Sequence, residues 1–259
     1  MKKIIVLLLC SLVLVGCVAK PKDVTGNYTN EMKMEYKVDL DEYGADSVER
    51  TADHSNSPYF SQLDFYNMKS TDTLTILSNF KTYQQTSEWS CGVVAAMMVL
   101  EYYGQLGDWN EETLAQLRTN ALEPEATSLE SILLILDAVG GFEVNSTYNY
   151  QPETMFEEIN LDMIQEYLKN GIPVIVGWND WGGHWQVVIG YDTMGTETQQ
   201  DDVIIVADSY DTTDHNQDGY GVYPAERFYY NWTMYDFFEK HYGINERELL
   251  FAAVKLVTE

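Results

Sequence analysis

From Cys91 onward the chain changes its apolar period once, and that change limits the folds open to it. Val94, Met97, Met98 and Tyr102 recur at helical spacing over 91–103, with Gly104 suited to the C-terminal end. The same pattern predicts helices over 111–118, over 128–138 and over 161–169. The second opens at Ser128 and closes at Gly140-Gly141, and the third ends at Asn170-Gly171. From Pro173 the helical period is gone. Runs rich in Val, Ile, Leu and aromatics over 173–178, 185–191, 203–208 and 249–257 read as strands, several of them bounded by Gly and Asp. Leu74 and Ile76, alternating with Thr73 and Thr75, add a short strand upstream. Helices first and strands afterwards predict an α+β domain. No internal repeat interrupts this order.

The domain is expected over 71–259, a length able to bury a full core, since about 100–200 residues per domain is usual. Residues 17–70 are polar, without a sustained period of 3.6 or 2, and read as a tether. Residues 1–16 differ in kind: Lys2 and Lys3 precede an apolar run over 4–15. That run is too short to cross a hydrocarbon core of ~30 Å as a helix, so a cleaved signal is expected. Its ending, Leu14-Val15-Gly16-Cys17, resembles the lipobox of bacterial lipoproteins, in which the Cys17 thiol carries lipid. Acyl chains contribute ~0.8 kcal/mol per buried CH₂, enough when several are attached for a stable hold on a membrane. The expected location is extracytoplasmic, lipid-anchored to the bacterial cell membrane. A formal net charge of −26 repels nucleic acid and anionic headgroups, so no nucleic-acid partner is expected and attachment rests on the lipid.

Of three cysteines, Cys10 lies in the signal and Cys17 in the lipobox, which leaves Cys91 alone in the domain. A single unpaired thiol in an exported protein is a candidate reactive group. It stands where a helix starts, in Gln85-Thr86-Ser87-Glu88-Trp89-Ser90-Cys91-Gly92. A helix N-terminus places partial positive charge beside a nucleophile that acts as thiolate. Gln85, six residues earlier, offers a side-chain NH₂ as an oxyanion donor together with the Cys91 backbone N–H, and Gly92 would admit a substrate backbone. A thiol nucleophile needs a base. Of four histidines, His54 lies in the tether, His215 in an Asp-rich loop and His241 near the C-terminus. His184 stands between Gly182-Gly183 and the apolar run from Trp185, at the mouth of a strand, and is the expected base. Asp208, ending the run 203–207, suits an acceptor for its other ring nitrogen; on spacing alone it is equally a turn or cap residue.

The segments QTSEWSCGVVAAMMVLEYYG (85–104), NGIPVIVGWNDWGGHWQVVIGYD (170–192) and VIIVADSYD (203–211) resemble the papain-like cysteine peptidases related to the enzymes that remove double-glycine leaders from bacteriocin precursors. The resemblance runs from about Thr82 to the C-terminus and keeps the order Gln, Cys, His, Asp. It implies a papain-like fold with a helical lobe, an antiparallel sheet lobe and a cleft between them. It also implies that Gln85 holds the oxyanion, Cys91 is the nucleophile, His184 the general base and Asp208 the orienting carboxylate. Family members that process leaders sit inside the cell, fused to a transporter. The expected export signal sets this chain with secreted, stand-alone relatives of unknown substrate, and a peptide or protein is the substrate expected for it. Two other activities fit the same fold: acyl transfer of the transpeptidase or transglutaminase kind, and binding without catalysis.

No cofactor is required for that chemistry. Asp214-His215-Asn216-Gln217-Asp218-Gly219 matches the start of a calcium loop, with Asp214, Asn216 and Asp218 as alternate oxygen ligands, but Ala225 stands where the loop's closing Glu belongs. A structural calcium ion and a solvated Asp-rich turn are both open. Trp178, Trp181, Trp185, Tyr210 and Tyr220 are candidate cleft-lining residues, aromatics at this density being equally core material.

Overall fold

The structure is a computed structural model that describes residues 39–48, 59, 63–180, 182–212, 216–233 and 248–257. The expected signal over 1–16, Cys17, Trp181 and Asp214 lie outside the described residues.

The centre is α1 (Cys91–Tyr102), whose first ten residues are all buried. A helix apolar on every side must be enclosed, and α1 is: it packs on the strand His184–Asp192 of the sheet, with α2 (Glu111–Ala115) and α3 (Leu129–Val139) against it. Asn110 opens α2 through a reciprocal cap with Thr113, and Ser128 accepts from the Ser131 amide at the start of α3. Gly140, at φ 79°, ends α3 in a conformation that favours glycine.

The sheet is antiparallel at every pairing, in the order β2 (Phe142–Ser146), β7 (Leu250–Leu256), β3 (Val174–Trp178), β4 (His184–Asp192), β5 (Val203–Ala207), β6 (Tyr220–Pro224). β3 pairs with β4 only as far as Val188; beyond it β1 (Leu74–Ile76) takes the same edge, opposite Gly190 to Asp192. β4 is buried from His184 to Tyr191, with α1 and α5 (Leu161–Lys169) packed on it. The short α4 (Met155–Glu158) precedes α5, and α6 (Ala225–Trp232) covers β3, β5 and β6. The architecture is the expected α+β one, helices grouped around α1 beside an antiparallel sheet.

The simple order of helices then strands is broken in two places. β2 enters between α3 and α4 and pairs with the C-terminal strand, and α6 stands between β6 and β7. β2 is a partly exposed edge strand with little alternation, and β6 ends at Pro224, which an edge tolerates because its missing N–H faces no partner. α6 is written in residues with strand preference, Phe228, Tyr229 and Tyr230 among them, and is helical because Phe228 and Trp232 bury one stripe. The helix expected over 111–118 closes at Ala115, and Arg118 beyond it is tied to loop carbonyls. Packing also begins before residue 71: Ala45 and Phe65, both within the expected tether, are buried.

Trp185 fixes how the helices meet the sheet. Its Nε1 donates to Thr127 O at 2.7 Å, ahead of α3. Its ring lies over Gly177, where a Cβ would stand 2.9 Å from ring carbons, and beside Gly92, where one would be 3.1 Å from Cδ1. Gly92 is therefore small for an interior reason, its Cβ position also lying 2.8 Å from Thr127 Cγ2, rather than to admit a substrate as the sequence suggested. Gly177→Ala should destabilise the domain by about 1–3 kcal/mol through overpacking against the indole. Thermal unfolding checks this, and a melting temperature equal to the parent's would show that the ring yields.

Candidate active site

Cys91 is the first residue of α1 and only slightly exposed. Its helix carries no acidic residue in the first turn, and Ser90, at the N-cap, makes no side-chain cap bond, so neither quenches the positive end of the helix. Facing it is His184, the first residue of β4. The turn that delivers His184 uses Gly182 at φ 84° and Gly183 at φ 117°, with Gly183 N donating to Asp180 O at 2.7 Å.

His184 Nε2 meets Asp208 Oδ1 at 2.6 Å, both side chains almost wholly enclosed. That leaves Nδ1 as the ring nitrogen free to serve Cys91, whose sulfur is among the groups that raise the ring's pKa. Asp208 follows the last residue of β5 and is held by its backbone as well: its N–H donates to Gly219 O at 2.8 Å, while Oδ1 also accepts from Tyr210 N at 2.7 Å. Oδ2 accepts from Gln186 Nε2 at 2.8 Å, and Gln186 Oε1 accepts in turn from Trp178 Nε1 at 2.7 Å. Burial alone would push the His184 imidazole down. The Asp208 carboxylate, by charge and hydrogen bond, and the Cys91 sulfur together hold it well above the ordinary histidine value. Burial likewise pushes Asp208 up, but the charge of His184 and the donors from His184, Tyr210 and Gln186 hold it below the usual carboxylate value.

Gln85 is brought to the same end of the sheet. Its N–H donates to Ser209 O at 3.0 Å, its Oε1 accepts from Ser209 Oγ at 2.7 Å, and its Nε2 donates to Ser87 O at 2.6 Å. An amide nitrogen carries two hydrogens, so the bond to Ser87 engages one of them. Outside this loop runs the stretch 39–48. Leu40 N donates to Thr86 Oγ1 at 3.2 Å, Asp41 N to Thr86 O at 3.2 Å and Ala45 N to Gln85 O at 3.1 Å. Tyr210 Oη donates to Tyr43 O at 3.2 Å, which ties this stretch to the residues beside Asp208.

Three residues around the site went unread in the sequence. Gln186 carried the clearest signal, a polar side chain inside the apolar strand that follows His184. Glu111, fully buried, accepts from Thr86 and Ser90. Arg118 stacks on Trp89, its guanidinium 4.1 Å from the ring centroid, and donates to the carbonyls of Ala121, Glu123 and Glu125 and to Thr127 Oγ1. Burial lowers Arg118 to about 10 against the opposing charges of Cys91 and Glu125. Among the candidate cleft aromatics, Trp178, Trp185 and Tyr220 are core and Tyr210 is half-buried beside Asp208. Of the calcium-loop residues, Asn216 and Asp218 are buried, and Asp218 Oδ1 accepts from Tyr220 N at 3.1 Å, the use a turn makes of it. Among the described residues no group of three or more His, Cys, Asp or Glu is placed to hold a metal ion.

The pair sets a pH window. His184, raised in the folded state, contributes stability that is full below its unfolded value near ~6.5 and lost as pH rises through the folded one. Asp208, lowered, contributes above ~3.9 and loses its contribution as pH falls through the folded value. Asp208→Asn should therefore bring the His184 titration, read by NMR of its ring protons, back toward or below the ordinary range. The stability gap between parent and variant, from urea unfolding, should be widest between about pH 4 and 6.5 and narrow on either side. A His184 titration unmoved by the substitution would contradict the assignment of Asp208 as its stabilising partner.

Among solved structures, the protein is similar to a double glycine motif protease from an AMS/PCAT transporter, crystallised in complex with the leader peptide. The two share 18% identity with a TM-score of 0.40, over 68% of this chain and 90% of that one. No curated protein matches significantly. The model of the Peptidase C39 like family matches residues 77–238, which span α1 and the strands bearing His184 and Asp208. The chain belongs to the Peptidase C39 like family.

Proposed function

We propose that the chain is a cysteine peptidase that hydrolyses a peptide or isopeptide bond through an acyl-enzyme on Cys91. The observation that carries this reading is an imidazole locked to a buried carboxylate at 2.6 Å, its titration raised in part by a lone thiol at the N-terminus of a buried helix. An imidazole raised above its ordinary value favours the charged form, and an imidazolium is the partner that a thiolate nucleophile needs.

The thiolate adds to the scissile carbonyl carbon, and the oxygen that gains the negative charge takes hydrogen bonds from the Cys91 N–H and the second hydrogen of Gln85 Nε2. His184 gives its proton to the leaving nitrogen, the C–N bond breaks and the amine departs. The neutral imidazole then takes a proton from water, whose oxygen attacks the thioester. Collapse releases the acid and restores thiolate and imidazolium. Asp208 keeps Nε2 protonated throughout and fixes the ring plane, so that Nδ1 stays on the sulfur. On the same reading, the Leu14-Val15-Gly16-Cys17 motif puts this activity at the outer face of a bacterial membrane, with the lipid on Cys17 as anchor.

Alkylation by iodoacetamide tests the central claim. At pH 6.5 an ordinary thiol is almost wholly protonated; the parent should react there at least tenfold faster than His184→Ala, and Cys91→Ala should take up no label in the domain. Equal, slow rates for parent and His184→Ala would overturn the peptidase reading and leave a binding protein on the same fold. Product analysis with an added amine then separates hydrolysis from acyl transfer.

A further inference from the structure

Glu111 is fully buried at the start of α2, remote in sequence from every residue given a chemical role above. Burying a carboxylate is costly unless hydrogen bonds replace its water. Here the replacements come from two residues. Thr86 N donates to Oε1 at 3.0 Å and to Oε2 at 3.3 Å, and Thr86 Oγ1 donates to Oε2 at 2.8 Å. Ser90 Oγ donates to Oε1 at 2.5 Å, and Ser87 Oγ donates in turn to Ser90 Oγ at 2.6 Å.

The identity of these two residues matters. Thr86 follows Gln85 and Ser90 precedes Cys91, so one carboxylate grips the immediate neighbours of both oxyanion donors. Between them the chain has no helix or strand to set its shape. Serine at an N-cap ordinarily turns its oxygen back onto the first amides of its own helix. Ser90 instead gives its hydroxyl to Glu111 and makes no such bond, which leaves the amides of the first turn to the site.

We propose that Glu111 is a positioning residue that sets the spacing of the Gln85 side chain and the Cys91 N–H, and so the geometry of the oxyanion site. The inference rests on the peptidase reading above. Its consequence is selective. Oxyanion donors act on the transition state and demand placement to a few tenths of an ångström, whereas alkylation of the thiol creates no oxyanion.

The test uses the purified chain, an internally quenched peptide library as substrate and iodoacetamide as thiol probe. Loss of one oxyanion donor costs about 10²–10³ in kcat, so a displaced donor in Glu111→Gln should lower kcat by roughly 10- to 100-fold, with KM within about threefold. Alkylation of Cys91 should stay within about threefold of the parent, because the Cys91–His184 pair is untouched. Ser90→Ala should lose kcat in the same way, and the double variant should be less impaired than the product of the two single losses, since both act through one contact. A folded Glu111→Gln with the parent's kcat overturns the proposal. So does a parallel fall in turnover, alkylation and melting temperature, which would make Glu111 a general support of the fold. Where Glu111→Gln fails to fold, Ser90→Ala decides alone, and an undiminished kcat overturns the proposal. A parent that neither cleaves peptide nor alkylates faster than its His184→Ala variant overturns the peptidase reading first and this one with it.

Discussion

A charged pair is buried where two apolar strands end, and much of the molecule is arranged to make that tolerable. Removing an imidazolium and a carboxylate from water costs several kcal/mol per ion, which their attraction repays only in good geometry with the remaining lone pairs satisfied. His184 and Asp208 meet at 2.6 Å, and two further acceptor sites of the carboxylate are taken by Gln186 Nε2 and Tyr210 N. Gln186 is itself fixed by Trp178, and the Asp208 backbone by Gly219. The antiparallel pairing of β4 with β5 supplies the register that makes these bonds possible, pairing Val187 with Ala207 one step before Asp208.

The helix is the other half of the constraint. α1 needs to be apolar on every face to lie between the sheet and α2 and α3, which leaves its N-terminus as the one place where it presents chemistry. Trp185 joins the two halves, since it directly follows His184 in β4 and its indole bonds the carbonyl of Thr127, whose methyl lies against Gly92. A shift of α1 along β4 would have to move that contact. The relative placement of thiol and imidazole is thus set by core packing as much as by any polar bond.

This division explains what the sequence disclosed. The α+β class, α1 and the central strands were legible because they are buried on one or more full faces, and burial imposes a period on the side chains. Cys91, His184 and Asp208 were legible because each stands at the end of such an element, where a polar residue after or before an apolar run is conspicuous. Gln186 could have been read as a polar residue within such a run. Glu111 and Arg118 could not: in sequence each is one charged residue among many, and their roles come from loop amides, hydroxyls and carbonyls that no spacing rule places near them. The edge strands β2 and β6 escaped because half their surface faces water, and α6 because its aromatics favour strands until a buried stripe decides otherwise.

The stretch 39–48 escaped for a different reason, and it changes how the site is understood. Its bonds to the loop use its own backbone, N–H groups donating to Gln85 O, Thr86 O and Thr86 Oγ1 and Ala45 O accepting from Gln84 Nε2, so they left no trace in its own side chains and the segment read as tether. Only Gly44 carries a mark of the contact: a Cβ there would lie 2.3 Å from the Thr86 carbonyl carbon, so the backbones meet too closely for any other residue. Thr86 is therefore held both by Glu111 and by this stretch, Gln85 by this stretch and by Ser209, and Tyr210 bonds the stretch to the residues beside Asp208. A loop with no secondary structure of its own owes its shape to such bonds together with its internal ones, Gln85 Nε2 to Ser87 O and Ser87 Oγ to Ser90 Oγ. The stretch 39–48 is accordingly part of what shapes the loop that carries Gln85, and displacing it would break the bonds to Gln85 O, Thr86 O and Thr86 Oγ1.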